Sequence, residues 1–263
     1  MEKIKLFREL AKRFPKSIKS RGDRIGLMTG KLPDNINHIL LCLDFDEIVL
    51  EMVRKMDKKP DLILTHHPFI YGPRQTVLKH NDTKRRVCEE IDKLGIPVYS
   101  MHTNFDTGKG GMNDALSKAL GLKNVYAPEK EIMMRIGELE SEMDAVEFAK
   151  LAKQVFHVDY ALLINSGSKN VKKVGIIGGG GSRDWRIAKD EGCDIYISGD
   201  APHHVRRDIV NAKYNYLDTP HEIEKIFMPT MKEILLSYDS TLIIEAVDHE
   251  KLPRVIQSLT ILL

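Results

Sequence analysis

Cysteine, aromatic residues and long apolar runs are all scarce in this chain of 263 residues. Its three cysteines form no CxxC pair, and their odd number argues against a disulfide framework, so we expect reduced, buried thiols. No apolar run reaches the roughly 18 residues that a membrane-spanning helix needs. The start of the sequence lacks the continuous apolar stretch of a secretory signal, and we therefore expect a cytoplasmic protein.

An excess of charge of either sign is also missing. The 40 basic and 38 acidic side chains give a formal net charge of +2. Such a balance gives no global reason to expect a nucleic acid or an anionic membrane as a partner. The length allows one large α/β unit or two modest lobes with a buried core.

What the chain does contain is a repeated alternation of strand-like and helix-like segments. Short apolar runs predict strands, and amphipathic stretches between them predict helices. The predicted strands include 61–65, 96–101, 131–139, 160–164, 174–178, 194–198, 214–218 and 241–247. This order predicts an α/β fold with mixed or largely parallel sheets.

The unusual polar residues follow the predicted strands and do not lie within them. Six of the 10 histidines fall in four of the loops that begin where a strand ends. In open α/β sheets, ligands bind beyond the carboxyl ends of the strands. The candidate site residues in these loops are His66, His67, His102, Asp106, Asp200, His203, His204, His221 and Glu224.

Imidazole and carboxylate groups are the ligands that zinc, iron, manganese, cobalt and nickel accept. Neighbouring side chains in extended backbone point opposite ways, so His66 and His67 can each serve a different ion. Two adjacent dications need anionic bridges, for which Asp106 and Glu224 are candidates. His221 and Glu224 are three residues apart and share one face of a predicted helix.

Several of these residues have a second interpretation. His102 is either a polar surface residue or a partner that orients a ligand. His203 and His204 either cap the start of a helix or line a pocket, or they bind a metal ion directly. Glu222 competes with Glu224 for the carboxylate role.

Five motifs resemble a known family: THHPFIY, HTNFD, VGIIGGGGS, SGDAPHH and HEIE. They resemble the dinuclear-metal-centre proteins often named type 2 GTP cyclohydrolase I, also called Nif-three-like proteins. The order and spacing match from Gly26 to the final predicted strand. Family members often have glycine where this chain has Pro220. Many also have the closing glutamate at the position of Lys225, whereas Glu224 satisfies the shorter spacing of other members.

This resemblance implies two divalent transition-metal ions and a set of ligands for them. The implied metal ligands are His66, His67, Asp106, His221 and Glu224. The implied activity is that of a metal-dependent hydrolase acting on a nucleotide or related anionic substrate. By analogy with type 2 GTP cyclohydrolase, hydroxide attacks C8 of the purine, and His102 or His203 shuttles protons.

The resemblance also implies two intertwined α/β lobes and assembly as a homohexamer. The first lobe spans residues 1–126 and is joined by a returning segment, 217–263, while the second spans 127–216. A metal-binding regulatory or scaffold protein without turnover is the alternative function. Gly178–Gly181 is either a backbone cradle for phosphate or a tight strand-to-helix turn; it lacks the GK[ST] ending of a Walker A loop.

Overall fold

A computed structural model describes residues 1–256 of the chain. Within that range the strands, in chain order, are β1 (Gly26–Thr29), β2 (His38–Cys42), β3 (Leu62–Thr65), β4 (Val98–Ser100), β5 (Lys123–Tyr126), β6 (Arg135–Asp144), β7 (Leu162–Asn165), β8 (Asn170–Ile176), β9 (Ile195–Gly199), β10 (Asn215–Thr219) and β11 (Ile243–Val247).

Helices alternate with these strands along most of the chain. The α-helices are α1 (Lys3–Arg13), α2 (Glu47–Lys55), α3 (Arg74–His80), α4 (Asp82–Lys93), α5 (Thr103–Thr107), α6 (Met112–Ala119), α7 (Ala145–Val155), α8 (Trp185–Asp190), α9 (His203–Asn211) and α10 (Phe227–Tyr238). Short 3-10 helices occupy Lys16–Ile18, Ser182–Asp184 and His221–Ile226.

The first compact unit comprises Met1–Ala115 and Glu224–His249. Its sheet has the order β1-β4-β3-β2-β11. The pairs from β4 through β11 are parallel, and β1 runs antiparallel to β4. The carboxyl ends of β2, β3 and β4 therefore meet at one edge of this sheet.

Apolar side chains explain why β2 and β3 lie at the centre of that sheet. Every residue of both strands is buried, as continuous apolar runs in parallel sheets usually are. Helix α2 packs Val49, Leu50 and Val53 into the same core. Asp46 starts this helix by accepting hydrogen bonds from two backbone N–H groups, at 2.9 and 3.0 Å. Truncating a core residue such as Ile63 to alanine should cost about 2–5 kcal/mol.

The second compact unit comprises residues 116–223 and, within the described range, 250–256. Its sheet has the order β5-β6-β8-β9-β10-β7. Strands β8, β9 and β10 are parallel neighbours, and the outer pairs are antiparallel. Trp185, Tyr196 and Tyr216 are among the largest side chains of its core.

The predicted mixed α/β class is confirmed, because both sheets combine parallel and antiparallel neighbours. The strand predicted from residue 131 begins later, at Arg135, and the helix predicted from His221 begins as a 3-10 helix. The compact units differ in their bounds from the two predicted lobes, and the division into those lobes stays a prediction. Residues 257–263 of the predicted returning segment lie outside the described residues. None of the described helices is both long and apolar enough to cross a membrane.

Candidate metal centre

Strand β3 ends at Thr65 and delivers two histidines to the carboxyl edge of the first sheet. The chain is fixed there by two hydroxyl groups: Thr65 Oγ1 donates to the carbonyl of His67 at 2.7 Å, and Ser100 Oγ donates to it at 2.9 Å. Ser100 is the last residue of the neighbouring strand β4. The position of His67 is therefore set by the sheet itself.

His66 is fully buried and has a defined tautomer. Its Nδ1 lies 3.0 Å from the carbonyl oxygen of Met101, which only accepts, so Nδ1 carries the proton. Within the described residues, Nε2 makes no hydrogen bond. It lies 3.5 Å from Asp106 Oδ1 and 3.5 Å from Glu224 Oε2. Burial lowers the pKa of His66 to about 4, which keeps the ring neutral at pH 7.

The lone pair of a neutral imidazole thus faces two buried carboxylates. One ligand atom each from His66, Asp106 and Glu224 lies within 4.8 Å of the other two. A cation or a proton donor lying among such acceptors stabilises them. Atoms that bind one tetrahedral ion at 2.0–2.2 Å are about 3.4 Å apart, close to the separations seen here. The residues present therefore fit a divalent metal ion.

His67 lies between two carboxylates. Its Nδ1 is 2.8 Å from Asp44 Oδ2, and its Nε2 is 2.9 Å from Glu224 Oε2. Burial disfavours the charged ring, but the hydrogen bonds to Asp44 and Glu224 outweigh it and raise the pKa of His67 to about 10. In the metal-free protein the His67 ring is therefore a cation. It must release a proton before it can bind a metal ion.

His102 completes this group of rings. Its Nδ1 lies 2.7 Å from Asp23 Oδ1, and Thr103 also donates to the Asp23 carboxylate. Burial opposes ionisation of Asp23, but the hydrogen bonds from His102 and Thr103 lower its pKa to about 2. The centroid of the His102 ring is 5.2 Å from that of His66 and 5.6 Å from that of His67. Ligand atoms of these three histidines also meet within 4.8 Å.

Apolar rings form part of the surroundings. Phe227, the first residue of α10, stacks at 5.4 Å on His66, and Phe105 packs at 5.2 Å against Phe227. Asp106 lies on α5, which begins directly after His102, and Asn113 donates to the Asp106 carbonyl at 3.2 Å. Low polarity around the cluster strengthens the interaction of its charged groups.

The second unit holds the other predicted site residues. His221 Nδ1 lies 2.6 Å from Asp200 Oδ2, and both side chains are exposed to an appreciable degree. They line a cavity of about 320 Å³ together with Tyr160 and an ion pair, at 2.6 Å, between Arg206 and Asp218.

The two candidate histidines of α9 are exposed to solvent. His203 is the first residue of α9, and His203 and His204 are exposed. The structure brings neither of them to a described metal-ligating group.

The glycine run forms a tight turn after β8. Gly179 has a φ of +64°, and its carbonyl accepts from Gly199 N at 2.7 Å and from Ser198 Oγ at 3.0 Å. A Cβ atom on Gly181 would lie 2.6 Å from a carbon of Ile177, so close packing alone requires glycine. The helical pieces that follow are only three and six residues long. The turn interpretation accounts for Gly179 and Gly181.

Two residues of the cluster, Asp44 and Asp23, were not predicted from the sequence. Asp44 follows the buried strand β2 directly after Leu43, in the same way that His66 follows β3. That shared position was a usable signal. Asp23 precedes β1, and only the antiparallel pairing of β1 with β4 brings it beside His102.

Fold and cluster together define a class: mixed α/β proteins with a histidine–carboxylate cluster, fit for metal, at the ends of parallel strands. A family model described as Duf34/NIF3 (NGG1p interacting factor 3) matches residues 1–253. The chain belongs to this family, and the resemblance seen in the sequence is confirmed.

Its relatives carry names of two kinds. A "GTP cyclohydrolase 1 type 2 homolog" of Lactococcus lactis is 32% identical over 235 residues, covering 88% of this chain and 90% of the relative. A Clostridium perfringens protein of the same name is 33% identical, covering 79% and 80%. Among solved structures, a Bacillus cereus protein related to NIF3 superposes with a TM-score of 0.84 at 22% identity, covering 98% and 99%. The last comparison concerns the fold alone.

Proposed function

We propose that this chain is a metal-dependent hydrolase with a dinuclear centre that acts on a nucleotide or a related anionic substrate. The single observation that carries the proposal is the buried Nε2 of His66, which faces the carboxylates of Asp106 and Glu224 at 3.5 Å. The names of the curated relatives suggest an activity like that of type 2 GTP cyclohydrolase.

Two ions need more ligands than one histidine and two carboxylates. Glu224 Oε2 is within 3.5 Å of both His66 and His67, as a bridging carboxylate would be. We propose that His67 is a further ligand, and we carry His221 over as a ligand from the resemblance. His221 precedes Glu224 by three residues in one 3-10 helix, a spacing that places side chains in line.

Divalent ions supply Lewis acidity when bound: they polarise an electrophile and lower the pKa of a water molecule. Bound directly to Asp106 and Glu224, two dications would leave positive charge at the ions that favours an anionic substrate, while Asp44 and Asp23 balance that charge further out. The chain's own contribution to proton transfer is His102. Asp23 holds its Nδ1, which leaves Nε2 to take up or return a proton. His203 remains the other proposed proton carrier.

We further propose that the protein works in the cytoplasm as a homohexamer. The cytoplasmic location is supported by three buried cysteines that form no CxxC pair. The ring assembly is carried over from the resemblance.

Two measurements test the proposal, first the metal content and then the turnover of nucleotides. Full-length protein purified without a tag is analysed by mass spectrometry, before and after reconstitution with zinc, iron, manganese, cobalt or nickel. We expect about two ions per chain. The loaded protein is then screened for hydrolysis of nucleotides, first GTP, with chelated protein as the control.

Three outcomes are distinguishable. Turnover that stops with chelator and returns with metal supports the hydrolase. About two ions without turnover of any nucleotide instead supports the metal-binding scaffold. Less than about half an ion per chain after reconstitution contradicts both.

A further inference from the structure

An aspartate lies on the Nδ1 atom of three histidines in this chain. Asp44 Oδ2 lies 2.8 Å from His67, and Asp23 Oδ1 lies 2.7 Å from His102. In the second unit, Asp200 Oδ2 lies 2.6 Å from His221. In each pair the aspartate occupies Nδ1, so Nε2 is the ring nitrogen on the side away from the aspartate.

The topology explains how each aspartate reaches its histidine. The histidines follow β3, β4 and β10, and each aspartate comes from the strand next to that one. Asp44 follows β2, which is parallel to β3, and Asp200 follows β9, which is parallel to β10. Asp23 precedes β1, which is antiparallel to β4, so it lies at the same end of the sheet. The three pairs share one construction, which argues against three separate accidents.

The two neighbouring histidines, His66 and His67, have different partners at Nδ1. The Nδ1–H group of His66 donates a hydrogen bond to a neutral backbone carbonyl, whereas Nδ1 of His67 faces a carboxylate. A carboxylate only accepts, so Nδ1 of His67 keeps its proton and Nε2 is the atom presented toward Glu224. A carboxylate in this place also makes the ring a stronger donor to a metal ion.

We propose that Asp44 is a positioning residue that fixes the tautomer and orientation of His67 for metal binding. This inference rests on the proposed metal centre. Loss of such a partner typically weakens metal binding about 10–100-fold. Asp44 acts through His67 and does not itself bind the ion.

A neighbouring residue offers a matched control. Asp46 is another aspartate that follows β2, but it caps α2, and its Oδ2 lies 3.1 Å from Nε2 of His249. Asparagine caps a helix as well as aspartate does, so Asp46→Asn removes the charge and keeps the helix start. The side chain of Asp44 is 44% exposed, so its removal leaves the core intact.

The experiment compares full-length, metal-free protein in four forms: wild type, Asp44→Ala, Asp44→Asn and Asp46→Asn. Zinc affinity is measured by calorimetry, and the visible absorption of bound cobalt gives the coordination of the ion. Circular dichroism establishes that each variant is folded. We expect Asp44→Ala to weaken one binding step about 10–100-fold and to change the cobalt spectrum. Asp44→Asn keeps an acceptor and should lose less, while Asp46→Asn should match wild type.

Wild-type affinity and an unchanged cobalt spectrum in Asp44→Ala would overturn the inference while the metal centre stands. A wild-type protein that binds no metal overturns the metal centre and this inference together. If Asp44→Ala does not fold, Asp44→Asn decides: weaker binding than in Asp46→Asn supports the role, and equal binding overturns it.

Discussion

The two compact units hold histidine–carboxylate groups that differ in burial. In the first unit, His66, Asp106 and Glu224 are all nearly inaccessible to solvent. In the second, the side chains of His221 and Asp200 are 37% and 58% exposed. Water screens the exposed pair, whereas the buried cluster must be balanced by a cation or by protons. Histidines and carboxylates that follow strand ends in both units therefore differ in the energetic cost of unbalanced charge, because that cost depends on burial.

The sharpest test of this contrast compares two glutamates two residues apart. Glu224 is buried beside His66 and His67, while Glu222 lines the cavity of the second unit. Glu224→Gln should lower metal affinity by at least about 100-fold. That loss exceeds the one typical of residues that contact a metal ligand without binding the ion themselves. Glu222→Gln should leave it nearly unchanged. Metal content by mass spectrometry checks both; the reverse pattern would move the carboxylate role to Glu222.

Removal of a buried ring should cost both metal and stability. His66→Ala deletes a proposed ligand and a ring that packs against Phe227, so we expect metal loss and about 1–3 kcal/mol lower unfolding free energy. The fold should persist, because His66 follows its strand and is not part of it. His203→Ala, on the exposed start of α9, should change stability by less than about 0.5 kcal/mol. Denaturant unfolding of metal-free protein measures both; equal costs would contradict the contrast in burial.

The buried histidines also predict a stability maximum for metal-free protein near pH 6.5. The pKa of His66 is about 4 when folded and 6.5 when unfolded, so the unfolded state takes up more protons below pH 6.5 and stability falls. The pKa of His67 is about 10 when folded, so its stabilisation is complete below pH 6.5 and is lost as pH rises toward 10.

Thermal unfolding across pH measures this profile. His66→Ala should flatten the acid limb and His67→Ala the alkaline limb, so each variant is the control for the other. Metal should bind more tightly as pH rises through this range, because His67 must release its proton first. A profile that neither substitution changes would contradict the assigned protonation states.

The smallest effect is expected at the exposed pair. Asp200→Asn keeps a residue that tolerates the φ of +54° and removes only one carboxylate beside His221. We expect its zinc affinity to fall less than that of Asp44→Asn, because solvent screens the lost charge. Calorimetry on both variants makes the comparison. A larger loss for Asp200→Asn would show that exposure is a poor guide to the importance of these partners.

Strand ends were the part of the site that the sequence predicted well. Apolar runs followed at once by histidines predicted where His66 and His67 emerge, and β3 ends as expected at Thr65. Asp44 and Asp23 were missed because an aspartate after or before a strand is usually a cap or turn residue. Only the pairing of β2 with β3 and of β1 with β4 gives them partners.

The residue spacing also could not predict whether residues 221–226 form an α-helix or a 3-10 helix. The spacing of His221 and Glu224 predicted an α-helix, yet residues 221–226 form a 3-10 helix before α10 begins at Phe227. Residues three apart share a face in both helix types, so the periodicity cannot distinguish them. Strands β1, β2 and β5 and helices α3 and α5 were not predicted either.

The order of the ligands along the chain has a consequence for biosynthesis. His67 and Glu224 touch at 2.9 Å but are 157 residues apart in sequence. At about 5–20 residues per second, a ribosome needs roughly 8–30 s to make the intervening chain. During that interval the two histidines after β3 have emerged without Glu224, and β2 has not yet paired with β11. In the proposed metal centre, capture of metal by the complete cluster is therefore one of the last events of synthesis, and we expect a chain truncated before residue 224 not to retain metal.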